Sequence, residues 1–466
     1  MQTMWEKLYG WFNDRVLRRV LRNSTYLILS NLISVFLTVF ITRRLGVYNY
    51  GVLGLITSYV TNVNKLFSFR MNEVVVRYVG EAYVNQDHAK TGAMIKFAAM
   101  VEAVTSLFAF IFMAATSRLG ARIFLDDPDL SGLILFYGIS ILGGIVMETA
   151  NGILRVINRY RSIALVSLIQ NVIVALIVFY ASTHGLGLMG ILSAYMIGKL
   201  LLGIVPVILC LIWLPRTIGN GWWKAPITLI DDKKSILRFT ISTNISSTIN
   251  LFARDGELLW VGALLSPLHA GYYKTAMTVI NMVLTPINPL IDTSYPEMNR
   301  AIIQKKWGKI RRLLGKITAL SAVWTGAAFI GLLFLGKPLL FHEINIFGLT
   351  LQVFKEEFLP AYDIIMILMF GYGTANILFW NRTLLLSFSE ADYATTVSFY
   401  TMLAKMFMTV VFVPRGPYYI EAILLSAYLA VSVLIMTWRG LHDLSIAEKN
   451  DPEAQKDKPE KKRRTA

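Results

Sequence analysis

The sequence predicts an all-α polytopic membrane protein, with about twelve transmembrane helices in two pseudo-symmetric six-helix lobes around a central cavity. Three observations predict it. The 466 residues are 55% hydrophobic and only 16% charged, and the mean hydropathy is +0.55, far from a soluble chain of this length. Roughly twelve apolar stretches reach the length of about 20 residues that a bilayer crossing needs. The two halves also repeat a polar pattern at an offset of 220 residues.

Composition excludes several classes. The single cysteine, Cys210, lies in an apolar run, so no disulfide framework and no Cys/His metal site is expected. No Gly-rich phosphate loop, Walker-type lysine or nucleophile elbow occurs. A soluble enzyme, a metal and an organic cofactor are therefore not expected, and there are no catalytic residues to assign.

Taken in order, residues 1–24 set Trp5, Leu8 and Phe12 at helical spacing beside Arg15, Arg18, Arg19 and Arg22, the pattern of a cytoplasmic interfacial helix leading into a retained first span. An N-terminal lobe of six helices follows over 25–212, with spans near 25–43, 51–69, 92–116, 132–155, 162–182 and 186–212. Residues 213–236 read as a cytoplasmic linker. A C-terminal lobe occupies 237–440, with spans near 237–264, 270–293, 313–336, 359–382, 393–413 and 418–438. Residues 441–466 read as a charged cytoplasmic tail whose Lys/Arg end suits anionic lipid.

Loop charge sets the orientation, because short cytoplasmic loops keep Lys and Arg. Arg70 to Lys90, the turn Arg155/Arg159/Arg161, the linker with Lys233, Lys234 and Arg238, and Arg300 to Arg312 are alternate loops. Both termini are placed in the cytoplasm; Arg43 and Arg44 break the pattern. Much of the net charge of +16 is thus topology, which makes membrane lipid a partner and nucleic acid none.

The repeat lays Gly51 on Gly271 and Lys96 on Lys316. In the second span Ser58, Thr61, Lys65 and Ser68 advance by 3, 4 and 3 residues, one helix face. The eighth span repeats the stripe with Thr278, Asn281, Thr285 and Asn288, extended by Lys274 and Asp292. Two lobes of the same topology follow, an arrangement of secondary transporters with a site between the halves. The stretch LFARDGELLW (251–260) extends a third stripe, Thr240, Thr243, Ser247, Asn250, Arg254 and Glu257, and Asp255 lies about 100° around the helix from Arg254. A charge at the bilayer centre costs about 2.5–3.5 kcal/mol, so these groups are expected to face protein or water. An alternative is that Arg254 and Glu257 merely neutralise each other at i,i+3.

Lys199 and Lys405 are placed near mid-span. Lys65, Arg155, Glu102 and Arg382 are near enough to an interface to snorkel. Glu148, Asn151 and Arg155 share a face of the fourth span, and Pro286 and Pro289 are expected to break the eighth. Cations suit a phosphate group, and amides and hydroxyls suit sugars. The expected substrate-binding residues are Arg254, Lys405, Lys65, Lys199, Asn250, Asn281 and Arg382. Asp255, Glu257, Asp292 and Glu148 are the candidates for coupling to an H+ or Na+ gradient.

RLGVYNYGVLGLI (44–56), EVVVRYVGE (73–81), NGILRVINRYRSIALVSL (151–168), AGYYKTAMTVI (270–280) and SYPEMNRAIIQKKWGKIRRLL (294–314) resemble, in order and spacing, the polysaccharide-transporter, or Wzx-like, lipid-linked oligosaccharide flippases of the MATE-like MOP superfamily. The resemblance implies a plasma- or inner-membrane flippase that moves a polyprenyl-linked saccharide by alternating access, as a monomer working beside glycan-assembly enzymes. Two readings stand beside it: a MATE-type exporter of organic cations, and a membrane-embedded glycosyltransferase or polymerase. The longest outer loop, 337–358, is short for the latter.

Overall fold

The computed structural model describes residues 15–230, 233–346 and 349–451. Residues 1–14 of the expected interfacial helix and 452–466 of the expected tail lie outside them. The chain divides into two compact units, Met1–Leu251 and Phe252–Ala466.

The first unit opens with α1 (Arg15–Phe67), which holds both expected first spans in one helix kinked at Gly46 (φ 71°, ψ 173°). Only glycine adopts that conformation without steric cost. After a turn through Arg70, α2 (Met71–Val74), a π-helical turn (Val75–Val79) and α3 (Gly80–Val84) form one continuous rod. Helix α4 (His88–Phe124) begins at Asp87, whose Oδ1 accepts the Lys90 N–H at 2.9 Å. The expected fourth span is interrupted, as α5 (Ser131–Gly143) and α6 (Met147–Val156). Then come α7 (Tyr160–Thr183), α8 (Gly187–Ile218), two 3-10 turns (Trp222–Lys224 and Ile227–Leu229) and α9 (Lys233–Asn250). An apolar cluster that includes Met71, Val75, Ala93, Ile153 and Leu214 packs α2, the π turn, α4, α6 and α8 together.

The second unit begins in a π-helical turn, Leu251–Asp255, followed by α10 (Glu257–Leu264) and α11 (Pro267–Leu284). Pro286 and Pro289 fall where α11 gives way to a 3-10 turn (Thr285–Ile287) and α12 (Asn288–Ile303). A proline removes an i→i−4 bond, and the turn is the result. Helix α13 (Trp307–Phe341) leads to a feature absent from the sequence reading, an antiparallel hairpin of β1 (Ile344–Ile346) and β2 (Leu349–Leu351) with Ile344 opposite Leu351. Helices α14 (Ala361–Ile377), α15 (Asn381–Ser387), α16 (Ala391–Phe412) and α17 (Ile420–Lys449) complete the unit. A Cβ on Gly371 would stand 2.4 Å from Ser426 Cα, so α14 and α17 touch backbone to backbone there. Helix α17 runs into the expected tail and is tied to α13 by Trp307 Nε1, which donates to Asp451 Oδ2 at 2.8 Å, and by Arg311 with Glu448 at 2.7 Å.

Nine stretches among the described residues are long and apolar enough to cross a membrane, from Leu29–Phe67 to Ile420–Lys449. The chain is a multi-pass membrane protein. Large apolar side chains such as Phe36, Phe108, Phe334 and Phe407 stay exposed on these helices, as lipid-facing groups do and water-facing ones do not. About twelve are expected from the sequence. The difference lies in three places: two spans merge in α1, and the seventh and eighth carry charges, hydroxyls and prolines that lower their hydropathy.

Candidate functional site

The second unit gathers its ionisable groups from five elements. The π turn supplies Arg254 and Asp255, α10 begins with Glu257, α11 supplies Tyr273, α16 supplies Lys405 and Thr409, and α17 supplies Glu421 in its first turn. Lys405 Nζ donates to Glu257 Oε1 and lies 2.6 Å from Glu421 Oε1, an ion pair without hydrogen-bond geometry. The Thr409 hydroxyl donates to Glu421 Oε2 at 2.9 Å. The side chains of Lys405, Glu257 and Glu421 are 2%, 3% and 0% exposed. Glu257 Oε2 and the Tyr273 hydroxyl, both buried, have no hydrogen-bond partner among the described residues.

Two carboxylates share one ammonium, so with both carboxylates ionised the cluster is one positive charge short of neutral. In a dry site an uncompensated charge is costly, and one proton or one monovalent cation balances it. Arg254 differs in every respect. Its side chain is 48% exposed and its Nε meets Asp255 Oδ1 at 3.3 Å. The phenol of Tyr372 lies close enough to feel the charges of Arg254, Asp255 and Glu257, and that of Tyr428 those of Arg254, Lys405 and Arg382. Both phenols thus lie within electrostatic range of the exposed ion pair and of the sealed charge cluster.

The geometry corrects the expected arrangement of this stretch. Arg254 and Glu257 do not continue one face and do not pair. A π turn holds more residues than an α turn and shifts the register after it, so Arg254 points to an exposed position and Glu257 to a buried one. Asp255, the next residue, is the partner of Arg254. Lys405 is held between two carboxylates instead of standing as an open cation. Asn250 is half-buried at the end of α9, Asn281 is exposed on α11, and Arg382 is half-buried on α15. The Asp292 side chain lies outside the described residues.

Glu421 and Tyr273 were missed by sequence reasoning. Glu421 follows the loop PRGPYY (414–419), where a carboxylate reads as a solvated end group. The one available signal was Lys405 itself, since a mid-span lysine needs counter-charge.

The remaining candidates fall in the first unit. Lys199 on α8 and Lys65 in the last turn of α1 are both exposed and near enough for their charges to repel. Glu102 does not snorkel. It is 4% exposed, and its Oε1 and Oε2 accept the N–H groups of Glu148 and Thr149, each at 2.8 Å, capping α6. Glu148 Oε1 accepts the Ser68 hydroxyl at 3.1 Å. No group of three His, Cys, Asp or Glu able to hold a metal occurs among the described residues.

Comparison with known proteins agrees with this architecture. The family model described as "Polysaccharide biosynthesis protein" matches residues 20–302. The inner membrane protein YghQ of Escherichia coli (strain K12) is 26% identical over 366 residues, 76% of this chain and 98% of that protein. Among solved structures, an inward-facing multidrug resistance MATE family transporter of the MOP superfamily superposes with a TM-score of 0.69 at 11% identity, covering 92% of this chain and 96% of that one. The lipid II flippase MurJ in an inward closed conformation gives 0.63 at 15% identity, covering 91% and 92%. A MOP superfamily transporter from Pyrococcus furiosus gives 0.59 at 12% identity, covering 91% and 94%. At these identities the structures show a shared fold.

Proposed function

The chain belongs to the polysaccharide biosynthesis protein family, and from that premise we propose that it is a flippase. It carries a saccharide linked to a polyprenyl phosphate or pyrophosphate from the inner to the outer leaflet of the inner membrane by alternating access, with both termini cytoplasmic, as a monomer beside the enzymes that assemble the glycan. The observation that carries this reading is that the second unit holds both an exposed arginine, Arg254, and a buried cluster of Lys405 with two carboxylates, Glu257 and Glu421. Arg254 offers the anionic head group a charge that Asp255 only partly occupies. The cluster offers an ion gradient something to act on. An ion shifts a two-state equilibrium only through different affinities for the two states, and loading the missing proton or Na+ changes the net charge that the second unit buries.

In proteoliposomes, flipping of a fluorescent polyprenyl-diphosphate saccharide by the native chain is expected to slow when the H+ or the Na+ gradient is collapsed. Glu257→Gln removes the surplus charge and is expected to flip at a rate indifferent to both gradients. A Glu257→Gln protein that keeps full gradient dependence overturns this assignment of the coupling site. Export of a cationic dye without movement of the saccharide would favour the MATE-type reading that the shared fold supports.

A further inference from the structure

A second polar site stands in the first unit, where the turn after α1 meets α6. Arg70, Asn72, Glu73, Glu148, Asn151 and Arg155 line a cavity of about 260 Å³ there. On the orientation set by the loop charges it opens to the cytoplasm. Its volume is just under the range of about 300–1,000 Å³ typical of drug-sized ligands. One sugar ring or one phosphate-bearing unit fits, and an oligosaccharide does not.

One wall is a stripe. Glu148, Asn151 and Arg155 advance by 3 and 4 residues along α6 and so share a face. That helix is held firmly: Glu102 caps its N-terminus, Cys210 Sγ donates to the Ala150 carbonyl at 3.2 Å, and a Cβ on Gly152 would stand 2.8 Å from Val75 and 3.2 Å from the Asn72 carbonyl oxygen. The opposite wall begins at Arg70, a non-glycine residue in the left-handed region (φ 49°, ψ 49°), a conformation that costs roughly 1–2 kcal/mol. Its guanidinium meets Glu73 at 2.9 Å.

The unmet hydrogen bonds define the ligand. Glu148 Oε2 and Asn72 Oδ1 are buried acceptors with no hydrogen-bond partner among the described residues; the N–H groups of Met71 and Asn72 lie near the Glu148 carboxylate but outside hydrogen-bond geometry. Arg155 is exposed, with no ion-pair partner among the described residues. With Arg70 and Arg155 against Glu73 and Glu148, the lining carries no net charge. Inorganic phosphate alone would face a carboxylate and an amide oxygen with oxygens of its own. A neutral sugar would leave Arg155 unused. A ligand that donates hydroxyl hydrogens at one end and presents an anion at the other satisfies both walls.

We propose that this cavity is a binding site for a glycosyl phosphate, the hydroxyls of one sugar on Glu148 and Asn72 and its phosphate on Arg155. The assignment deepens the flippase reading, on which it rests, by giving the first unit a cytoplasmic site that recognises the sugar–phosphate junction before translocation. The same junction occurs in a lipid-linked saccharide and in a nucleotide sugar.

The test is titration of the full chain in detergent micelles with glucose 1-phosphate, inorganic phosphate and methyl glucoside. Glucose 1-phosphate is expected to bind at least ten-fold more tightly than the other two. Arg155→Ala and Asn151→Leu are each expected to weaken it ten-fold or more, with Arg155→Lys recovering part. Competition by citronellyl-diphosphate glucose in preference to UDP-glucose identifies the lipid-linked source, and the reverse order identifies the nucleotide sugar and overturns the translocation role. Equal binding of phosphate and glucose 1-phosphate, or unchanged binding by a monodisperse Arg155→Ala protein, overturns the site. A native chain that binds glucose 1-phosphate but flips no lipid in proteoliposomes sinks the flippase reading and leaves the site standing. Normal flipping together with unaltered binding by Arg155→Ala sinks the site alone.

Discussion

Each unit of this protein buries a carboxylate deep among apolar helices, and the two do so by opposite means. In the first unit Glu102 is answered by two main-chain N–H groups at the start of α6. In the second, Glu257 and Glu421 are answered by a single lysine. A helix N-terminus supplies a fixed partial charge that belongs to the backbone; it cannot leave, and nothing else has to arrive. A lysine between two carboxylates leaves the sum one charge short. The first arrangement builds a joint and the second an unfinished balance, which is why coupling is proposed for the second unit and rigid support for the first.

The strongest way to break the comparison is to remove the shared cation. Lys405→Ala leaves two carboxylates buried together, and removing one partner of a buried ion pair costs about 3–5 kcal/mol. The expected outcome is a large loss of folded protein, read as a fall in the melting temperature of the chain in detergent. Adding Glu257→Gln and Glu421→Gln to Lys405→Ala is expected to recover most of it, because the charges then leave together. A Lys405→Ala protein as stable as the native one would show that the cluster is already neutral by another route.

Glu102 should respond less and without rescue by charge removal. Its two hydrogen bonds involve a charged acceptor, worth about 1.5–3 kcal/mol each at most, so Glu102→Ala is expected to lower stability by roughly 2–3 kcal/mol. Glu102→Gln keeps one acceptor but turns an NH2 group toward a backbone donor, and is expected to recover no more than half. Neither substitution should alter gradient dependence of flipping. If Glu102→Gln abolished that dependence, the first unit would hold a coupling carboxylate too and the contrast would fail.

What the sequence made legible follows the same division. Spans of uniform hydropathy, such as α7 and α8, stand out because lipid demands a continuous apolar surface, and the proline break after α11 follows from a lost hydrogen bond. The partners of buried charges were not legible. Glu257 is 148 residues from Lys405, a separation no local period reports, and the sequence suggests an interfacial role for Glu102 because depth alone does not reveal that α6 starts beside it. The π turn at Leu251–Asp255 breaks the stripe for a plainer reason: an unbroken 3.6-residue period puts Glu257 on the Arg254 face, and one wider turn carries it into the core.

The smallest expected change in stability is also the sharpest test of what the exposed half of the site is for. Arg254 and Asp255 are partly open to solvent, and ion pairs of that kind contribute about 0–1 kcal/mol. Arg254→Ala should therefore melt within a few degrees of the native protein, in contrast with Lys405→Ala. Flipping of the lipid-linked saccharide should nevertheless be lost, since the head group would lose its nearest open cation, and Arg254→Lys should restore part of it by returning the charge without the planar fork that grips a phosphate. Unequal responses, stability at Lys405 and transport at Arg254, would assign the buried cluster to setting the balance between states and the exposed arginine to the cargo. If Arg254→Ala instead melted as early as Lys405→Ala, the phenols of Tyr372 and Tyr428 would be joining the two groups into one structural network, and the head group would have to be held elsewhere.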